Sequence, residues 1–304
     1  MSKEKYTTAV MNSDIPRSRK QFLVRKLAYA LVKILGFNKP SLFTTEFIQS
    51  LDPIAKVKIQ GKGTLKFVAN HGRLLWRVNT FREEEPETIE WLDSIKEDEC
   101  LWDVGANVGM YSIYASVFQK CRVVAFEPEA QNFSILMHNI DLNHMADQII
   151  PVMSAVAGQS GIGQLKVPYF TKGGAFNQFT ASSAVEESIY QPRQGNYELT
   201  QYVYSSSLDD YMNQTNFPSP THIKIDVDGI ESKIVDGAAN FLKQPTLRSV
   251  LIELNENVPA DKEVKKIIES AGFSFKSKKS NWDYREDRSM EKECKTSNYI
   301  FWRS

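Results

Sequence analysis

One segment narrows the fold of this 304-residue chain more than any other, an apolar run that ends at Asp103 and is followed by a glycine-containing turn. Residues 101–104 have the length and composition of a buried strand, and a helix is expected from about residue 108 to 119. Glycines at such a turn let a ligand approach the backbone, and the first amides of the helix supply hydrogen-bond donors. The segment therefore predicts a ligand site at the end of a buried strand.

Short apolar stretches alternate with helical patterns through most of the chain after residue 99. Strands separated by helices form a parallel sheet covered on both faces, because a parallel connection has to cross over the sheet. Two further strands without a helix between them, at 273–278 and 299–302, are expected to pair as an antiparallel hairpin. The sequence thus predicts a doubly wound α/β core with strands at 101–104, 122–126, 149–157, 222–226 and 249–254, and helices at 108–119, 129–142, 230–242 and 261–271.

The residues before this core are predicted to form a small cap. A helical pattern over residues 21–37 places apolar side chains opposite basic ones, and alternation over residues 54–78 predicts a β-meander with a turn at 70–72. We therefore divide the chain into a basic helix and β cap, residues 1–84, and a ligand-binding domain, residues 85–304.

An excursion rich in glycine, serine and threonine interrupts the alternation at residues 158–206. It carries two predicted strands, 164–169 and 198–205. A connection this long within a compact domain is typically functional, so a lid or binding loop is expected there.

Charge and cysteine content exclude several classes of protein. Basic and acidic residues both number 37, so nothing attracts the chain to nucleic acid over long range, and no nucleic-acid partner is predicted. Three cysteines without CxxC spacing favour a reducing cytoplasm over a disulfide framework or a zinc site. The basic helix at 21–37 is too short and too charged to cross a bilayer; it either docks on the main domain or lies on the inner face of an anionic membrane.

The residues around the turn distinguish between nucleotide ligands. A dinucleotide fingerprint needs GxGxxG, whereas Ala106 and Asn107 stand where the second glycine would clear a pyrophosphate. Asp103 would repel a phosphate and attract an ammonium group. Glu127 follows the second strand, where an acid can accept both hydroxyls of a ribose. An amine at Asp103 and a ribose at Glu127 together describe S-adenosylmethionine.

Four motifs together resemble the FkbM family of S-adenosylmethionine-dependent methyltransferases. They read Asp-Val-Gly-Ala-Asn-Val-Gly-Met-Tyr-Ser at 103–112, Phe-Glu-Pro at 126–128, Asn-Ile-Asp-Leu-Asn at 139–143 and Lys-Ile-Asp-Val-Asp-Gly-Ile-Glu at 224–231. Many class I methyltransferases share the first motif, and its combination with the last is more specific. One departure is Asp228, where the family commonly has glutamate.

The resemblance covers roughly residues 85–255 and implies a fold and an activity. The fold is a seven-stranded sheet in the order 3-2-1-4-5-7-6 with the last strand antiparallel, which agrees with the terminal hairpin. The activity is O-methyl transfer to a hydroxyl of a sugar, glycan, polyketide or similar small molecule.

The family's cofactor contacts transfer to this chain position by position. The turn would surround the methionine part of the cofactor, the end of the second strand would hold the ribose, and the residues after the third strand would lie beside the adenine. In that order, the residues are Asp103, Gly105, Ala106, Asn107 and Gly109, then Glu127 and Pro128, then Ser154 and Ala155, with Asp226 near the transferred methyl.

Methyl transfer to an alcohol requires an in-line approach and removal of the hydroxyl proton. Asp226 is the leading candidate for the base or the group that orients the acceptor, and its alternative role is to bind the cofactor or the start of a helix. Asp228 and Glu231 complete the catalytic candidates, although Glu231 can also simply stabilise a helix terminus. Asp226, Asp228 and Glu253 would suit Mg²⁺ as oxygen donors, but the sequence requires no metal.

Two other readings stay open beside an O-methyltransferase with a small-molecule or carbohydrate acceptor. One is a non-catalytic cofactor-binding scaffold or a membrane-surface adaptor. The other is a methyltransferase for protein or nucleic acid, which is disfavoured because residues 226–229 lack the Asn/Asp-Pro-Pro-aromatic signature of amino-methylating enzymes. The acceptor's identity and the oligomeric state do not follow from the residues.

Overall fold

The computed structural model describes residues 52–168, 171–181, 199–255, 257–280 and 296–303, with seven helical positions between residues 26 and 47. The chain divides into two compact units, Met1–Pro53 and Ile54–Ser304. In the first unit, the described positions of the predicted helix 21–37 are helical, and the rest of that prediction lies outside the described residues. No helix in the described part of the chain is long and apolar enough to cross a bilayer.

The second unit contains two helices and a hairpin before its central sheet and then alternates strands with helices. In chain order, its elements are β1 (Ile54–Ile59), β2 (Gly63–Val68), α1 (Gly72–Glu84), α2 (Pro86–Leu92), β3 (Cys100–Val104), α3 (Met110–Tyr114) with a π-helical continuation (Ala115–Gln119), β4 (Arg122–Phe126), α4 (Ala130–Leu142), β5 (Ile149–Val152), β6 (Ala155–Val156), β7 (Gly161–Val167), β8 (Gln178–Ala181), β9 (Leu199–Ser206), α5 (Leu208–Gln214), β10 (His222–Ile225), α6 (Glu231–Asp236), β11 (Ser249–Asn255), α7 (Pro259–Ser270), β12 (Phe273–Ser280) and β13 (Thr296–Arg303).

The central sheet has seven strands in the order β12-β13-β11-β10-β3-β4-β5. Numbered among themselves along the chain and read from the β5 edge, they give 3-2-1-4-5-7-6, so the predicted order is confirmed. β13 runs antiparallel to both of its neighbours, as expected of the terminal hairpin. The two faces of β3 belong to different apolar cores, Leu101 to one and Trp102 to the other, and the doubly wound architecture is therefore confirmed.

The hairpin and α1 replace the predicted β-meander. The prediction of a third strand of this meander around Leu75 is wrong, since this region is helical. Leu74, Val78 and Phe81 are buried at helical spacing, and the His71 side chain accepts a hydrogen bond from the backbone amide of Arg73, which caps the helix start. Residues 54–84 lie in the same compact unit as the central sheet.

Two other predicted elements differ in extent. The strand predicted over residues 149–157 is two strands: β5 joins the central sheet, and β6 joins a four-stranded sheet of order β6-β9-β7-β8. Between them, the hydroxyl of Ser154 donates to the Tyr204 carbonyl at 2.7 Å and draws the chain towards β9. The helix predicted over 230–242 ends at Asp236, where Gly237 packs so closely on Gly158 that a Cβ would lie 2.8 Å from its carbonyl oxygen.

Two asparagines of α4 join the hairpin to the rest of the unit. Asn139 accepts a hydrogen bond from the Val68 amide at 2.8 Å and donates to the Val108 carbonyl at 2.8 Å. Asn143 accepts from the Lys66 amide and donates to the Lys66 carbonyl. The Asn-Ile-Asp-Leu-Asn motif thus fixes β2 beside the segment that follows the glycine turn.

Candidate functional site

The turn after β3 lies directly against the chain that follows β10. Gly105 has φ +84°, and a Cβ there would lie 2.0 Å from the carbonyl oxygen of Asp226. The amides of Gly105 and Ala106 both donate to the Phe126 carbonyl, at 3.0 and 2.9 Å. Only glycine fits this close approach, which brings the carboxyl ends of β3, β4 and β10 together around one cleft.

Eight of the predicted site residues line this cleft. Its other walls are mostly apolar and include Phe126, Val156, Leu165, Phe179 and Ile230. A cleft at the carboxyl edge of an open α/β sheet is where such folds bind ligands. The eight predicted residues are Gly105, Asn107, Glu127, Pro128, Ser154, Ala155, Asp226 and Asp228.

Glu127 places a fixed carboxylate in the wall. Its Oε2 accepts from the Asn107 amide at 2.7 Å and its Oε1 from the Glu129 amide at 2.9 Å, which ties the end of β4 to the turn. Burial raises the pKa of Glu127 to about 8, although the two amides act in the opposite direction. The carboxyl group is thus oriented before any ligand arrives.

Asp103 lies beneath the turn and is not part of the cleft wall. It is 1% exposed, and its Oδ2 accepts from the Ser112 hydroxyl at 2.5 Å. Burial raises the pKa of Asp103, and the nearby Lys224 ammonium opposes this shift. The cation that the structure places near Asp103 is therefore a lysine of β10.

Three other predicted residues also lie outside the cleft wall: Ala106, Gly109 and Glu231. Gly109 has φ +81°, and a Cβ there would lie 2.3 Å from a methyl group of Leu136, so this glycine serves the packing of α3 on α4. Glu231 is buried in the first turn of α6, where its carboxylate accepts from the Gly229 amide at 3.4 Å. Burial first, and then Glu253, raise the pKa of Glu231 well above its ordinary value.

Asp226 and Asp228 provide the carboxylates nearest the end of β10. Asp226 accepts a hydrogen bond from the Lys224 ammonium at 2.5 Å, and its side chain is 29% exposed. Asp228 accepts from the Asn177 amide at 2.8 Å. Burial raises the pKa of Asp228 to about 6 against the opposing effect of the Phe176 and Asn177 amides.

Residues 173–177 of the excursion form an arm that reaches the cleft at Asn177. The side-chain amides of Asn107 and Asn132 donate to the Gly174 carbonyl, at 2.7 and 3.1 Å, and the Arg77 guanidinium donates to the Gly173 carbonyl at 2.9 Å. The sequence predicted a functional excursion here but did not identify these partners. Asn132 and Arg77 carry no signal in the sequence, because each acts through a backbone group of a distant segment.

Within the described residues, no group of three or more histidine, cysteine, aspartate or glutamate side chains is arranged to hold a metal ion.

Comparisons with known proteins identify the family of this chain. The model of the FkbM methyltransferase domain matches residues 103–275. The hexuronic acid methyltransferase AglP of Haloferax volcanii is 26% identical over 218 residues, which are 72% of this chain and 81% of AglP.

Two solved structures are also similar. An FkbM methyltransferase from Methylobacillus flagellatus KT has 16% identity and a TM-score of 0.41, over 68% of this chain and 44% of that one. TYW2 of M. jannaschii, solved in complex with AdoMet, has 13% identity and a TM-score of 0.42, over 83% of this chain and 88% of that one. Since the family model matches more than half of the chain and spans Glu127, Asp226 and Asp228, this protein is a methyltransferase and belongs to the FkbM family.

Proposed function

We propose that this methyltransferase moves the methyl group of S-adenosylmethionine to a hydroxyl group of a carbohydrate. The observation that carries the proposal is the meeting of Glu127 and Asp226 in one cleft, on either side of the glycine turn at Gly105. The similarity to a hexuronic acid methyltransferase supports a sugar as the acceptor.

The residues of the cleft suit S-adenosylmethionine. The oriented carboxyl group of Glu127 has the chemistry to accept a hydrogen bond from the ribose hydroxyls. Ser154 and Ala155 leave room for a flat ring, and Leu165 and Phe179 give it apolar walls. The amino acid part of the cofactor would lie along the turn of Gly105.

When bound, the cofactor supplies an electrophilic methyl group on a sulfonium, so this chain has to orient the acceptor and remove its proton. Asp226 would accept the hydrogen bond of the acceptor hydroxyl and point the oxygen at the methyl group. Asp228, with a pKa of about 6, is ionised at neutral pH and would take the proton. A base of this kind contributes about 10²- to 10⁴-fold to a rate. The arm at residues 173–177 would limit the access of water.

Two linked measurements test this proposal. Titration calorimetry with S-adenosylmethionine should show binding to the wild type and an affinity at least about tenfold lower for Glu127→Ala, because the ribose hydroxyls lose an oriented hydrogen-bond partner. Glu90→Ala, which removes an exposed carboxylate of α2, should bind like the wild type. Failure of the wild type to bind would overturn the assignment of the cofactor.

The acceptor is tested with methyl β-D-glucuronide and methyl β-D-glucoside as probes. Mass spectrometry should detect a product that has gained one methyl group, with the label transferred from methyl-labelled cofactor. Nuclear magnetic resonance should show that this methyl group is attached to the oxygen of a sugar hydroxyl group. Transfer to the carboxylate of the glucuronide, or to neither sugar, would contradict O-methylation of a carbohydrate hydroxyl.

A further inference from the structure

Lys224 is a charged residue buried in the middle of the central sheet. It is 1% exposed and lies on β10 opposite Asp103 of the adjacent strand β3. Its neighbours Ile223 and Ile225 belong to one apolar core, so the lysine side chain points to the opposite face of the sheet. An ammonium group in such a place is costly unless carboxylates surround it.

Three carboxylates provide this surrounding. The ammonium donates to Asp226 at 2.5 Å, and Asp103 and Glu85 attract it electrostatically. Burial lowers the pKa of Lys224, but the three carboxylates together raise it further, and the net shift is upward. The lysine therefore stays charged inside the sheet.

Tyr111 and Glu85 complete the enclosure of the lysine. Tyr111 of α3 lies with its ring centre 5.0 Å from the Lys224 ammonium, and its hydroxyl hydrogen-bonds to Glu85. Glu85 stands at the junction of α1 and α2 and accepts from the Thr88 hydroxyl at 2.9 Å. This junction precedes the residues that the family model matches, so a part of the chain outside the matched domain contributes to the surroundings of the lysine.

Asp226 connects this enclosure to the cleft. It lines the cleft, whereas Lys224, Glu85 and Tyr111 are not part of its wall. Burial first, and then the like charge of Asp226, raise the pKa of Glu85 and that of Glu253. Without the ammonium, the carboxylate of Asp226 would face like charges and turn away from them.

We propose that Lys224 is a positioning residue for methyl transfer, which holds the Asp226 carboxylate in the orientation that meets the acceptor hydroxyl. Glu85 and Tyr111 keep the lysine in place. This inference rests on the proposed function, since that function gives Asp226 its contact with the acceptor.

A double-mutant cycle tests whether Lys224 acts through Asp226. With methyl β-D-glucuronide as the probe, Lys224→Met should lower kcat about 100-fold, and Lys224→Arg should keep it within about tenfold of the wild type. In the Asp226→Asn background, Lys224→Met should lower kcat less than about threefold, because the group it positions has already lost its charge. Lys58→Met, at an exposed lysine of β1, is the matched control and should leave kcat unchanged. Equal losses in both backgrounds would overturn the proposal.

A crystal structure of Lys224→Met gives a readout that needs no acceptor. The Asp226 carboxylate should have turned from its place beside residue 224, and an unmoved carboxylate would overturn this inference alone. If Lys224→Met does not fold, the same cycle and structure are obtained with Lys224→Gln, which also removes the positive charge and should give the same losses in the two backgrounds. A wild type that binds no S-adenosylmethionine would overturn the proposed function and this inference together.

Discussion

Asp228 is a carboxyl group of the cleft whose pKa lies close to neutral pH. Burial raises its pKa to about 6, so kcat of the wild type should fall as pH drops below about 6 and the carboxylate takes up a proton. Asp228→Asn keeps an oxygen for the Asn177 amide and loses the titration. We expect this variant to lower kcat roughly 10²- to 10⁴-fold and to remove the acidic limb of the pH profile.

The control for this prediction is Asp236→Asn, which changes an exposed carboxylate at the end of α6. It should keep both the rate and the acidic limb. An Asp228→Asn variant whose kcat still falls below pH 6 would assign the titration to another group.

Some of these residues could be predicted from the sequence, and others could not. Glu127 and Asp226 each follow an apolar strand, and in a parallel sheet such positions meet at one edge. Asp103 also ends its strand, but the alternation of side chains buries it on the face shared with Lys224. The role of Lys224 depends on the register of two strands that are far apart in the chain, which no local pattern encodes.

Among the elements, the arm at residues 173–177 depends on the conformation of one glycine. Gly173 has φ +75°, and a Cβ there would lie 2.9 Å from a methyl group of Leu74 in α1. Gly173→Ala should therefore displace the arm as well as strain its backbone, by roughly 1–2 kcal/mol for the conformation alone. Hydrogen exchange should show faster exchange of the Asn177 amide, by about tenfold.

Gly61→Ala is a matched control for this change. Gly61 has nearly the same φ, +77°, but nothing lies within 4 Å of the added Cβ. Gly61→Ala should cost about the same backbone strain as Gly173→Ala, and it should leave hydrogen exchange of the Asn177 amide unchanged. Equal exchange in the two variants would mean that the contact with Leu74 does not hold the arm.

The elements of the core were predictable where the chain alternates, because a buried strand and an amphipathic helix have different periods. Errors arose where two patterns overlap. The alternation that includes Leu75 predicts a strand, but Leu75 is exposed. Leu74, Val78 and Phe81 are buried at helical spacing, and this segment forms α1. The split between β5 and β6 depends on a hydrogen bond to Tyr204, which lies 50 residues further along the chain.

For the whole molecule, Asn139 connects the hairpin before the sheet to the segment after the glycine turn. Its amide satisfies the Val68 N–H and the Val108 carbonyl, and the side chain is 1% exposed. Asn139→Ala would leave both backbone groups buried without a partner. Since each of the two groups costs about 1–3 kcal/mol, we expect the free energy of unfolding to fall by about 2–6 kcal/mol in denaturant titrations.

Asn79→Ala, at an exposed position of α1, should change the free energy of unfolding by less than about 0.5 kcal/mol. A similarly small effect of Asn139→Ala would show that the hairpin is held by its apolar contacts alone.

The architecture of the central sheet can be predicted from the sequence more directly than the packing of the segment that precedes the sheet. Alternating strands and helices required a covered parallel sheet, and the resemblance to the FkbM family implied the strand order that the structure has. No local pattern predicts how residues 54–84 pack, because Phe67 and Phe81 join the same apolar cluster as Ile113 across a large separation in sequence.

The place of β13 in the sheet has a consequence for how the chain is made. β12 pairs with β13, which lies between it and β11, so its place in the sheet depends on a strand that follows it in the chain. During synthesis, an emerging polypeptide therefore carries an open sheet edge at β11 until residues 296–303 have left the ribosome. A chain that ended before residue 296 would still contain β3, β4 and β10 but would leave β11 as an open edge strand, which favours pairing with other chains.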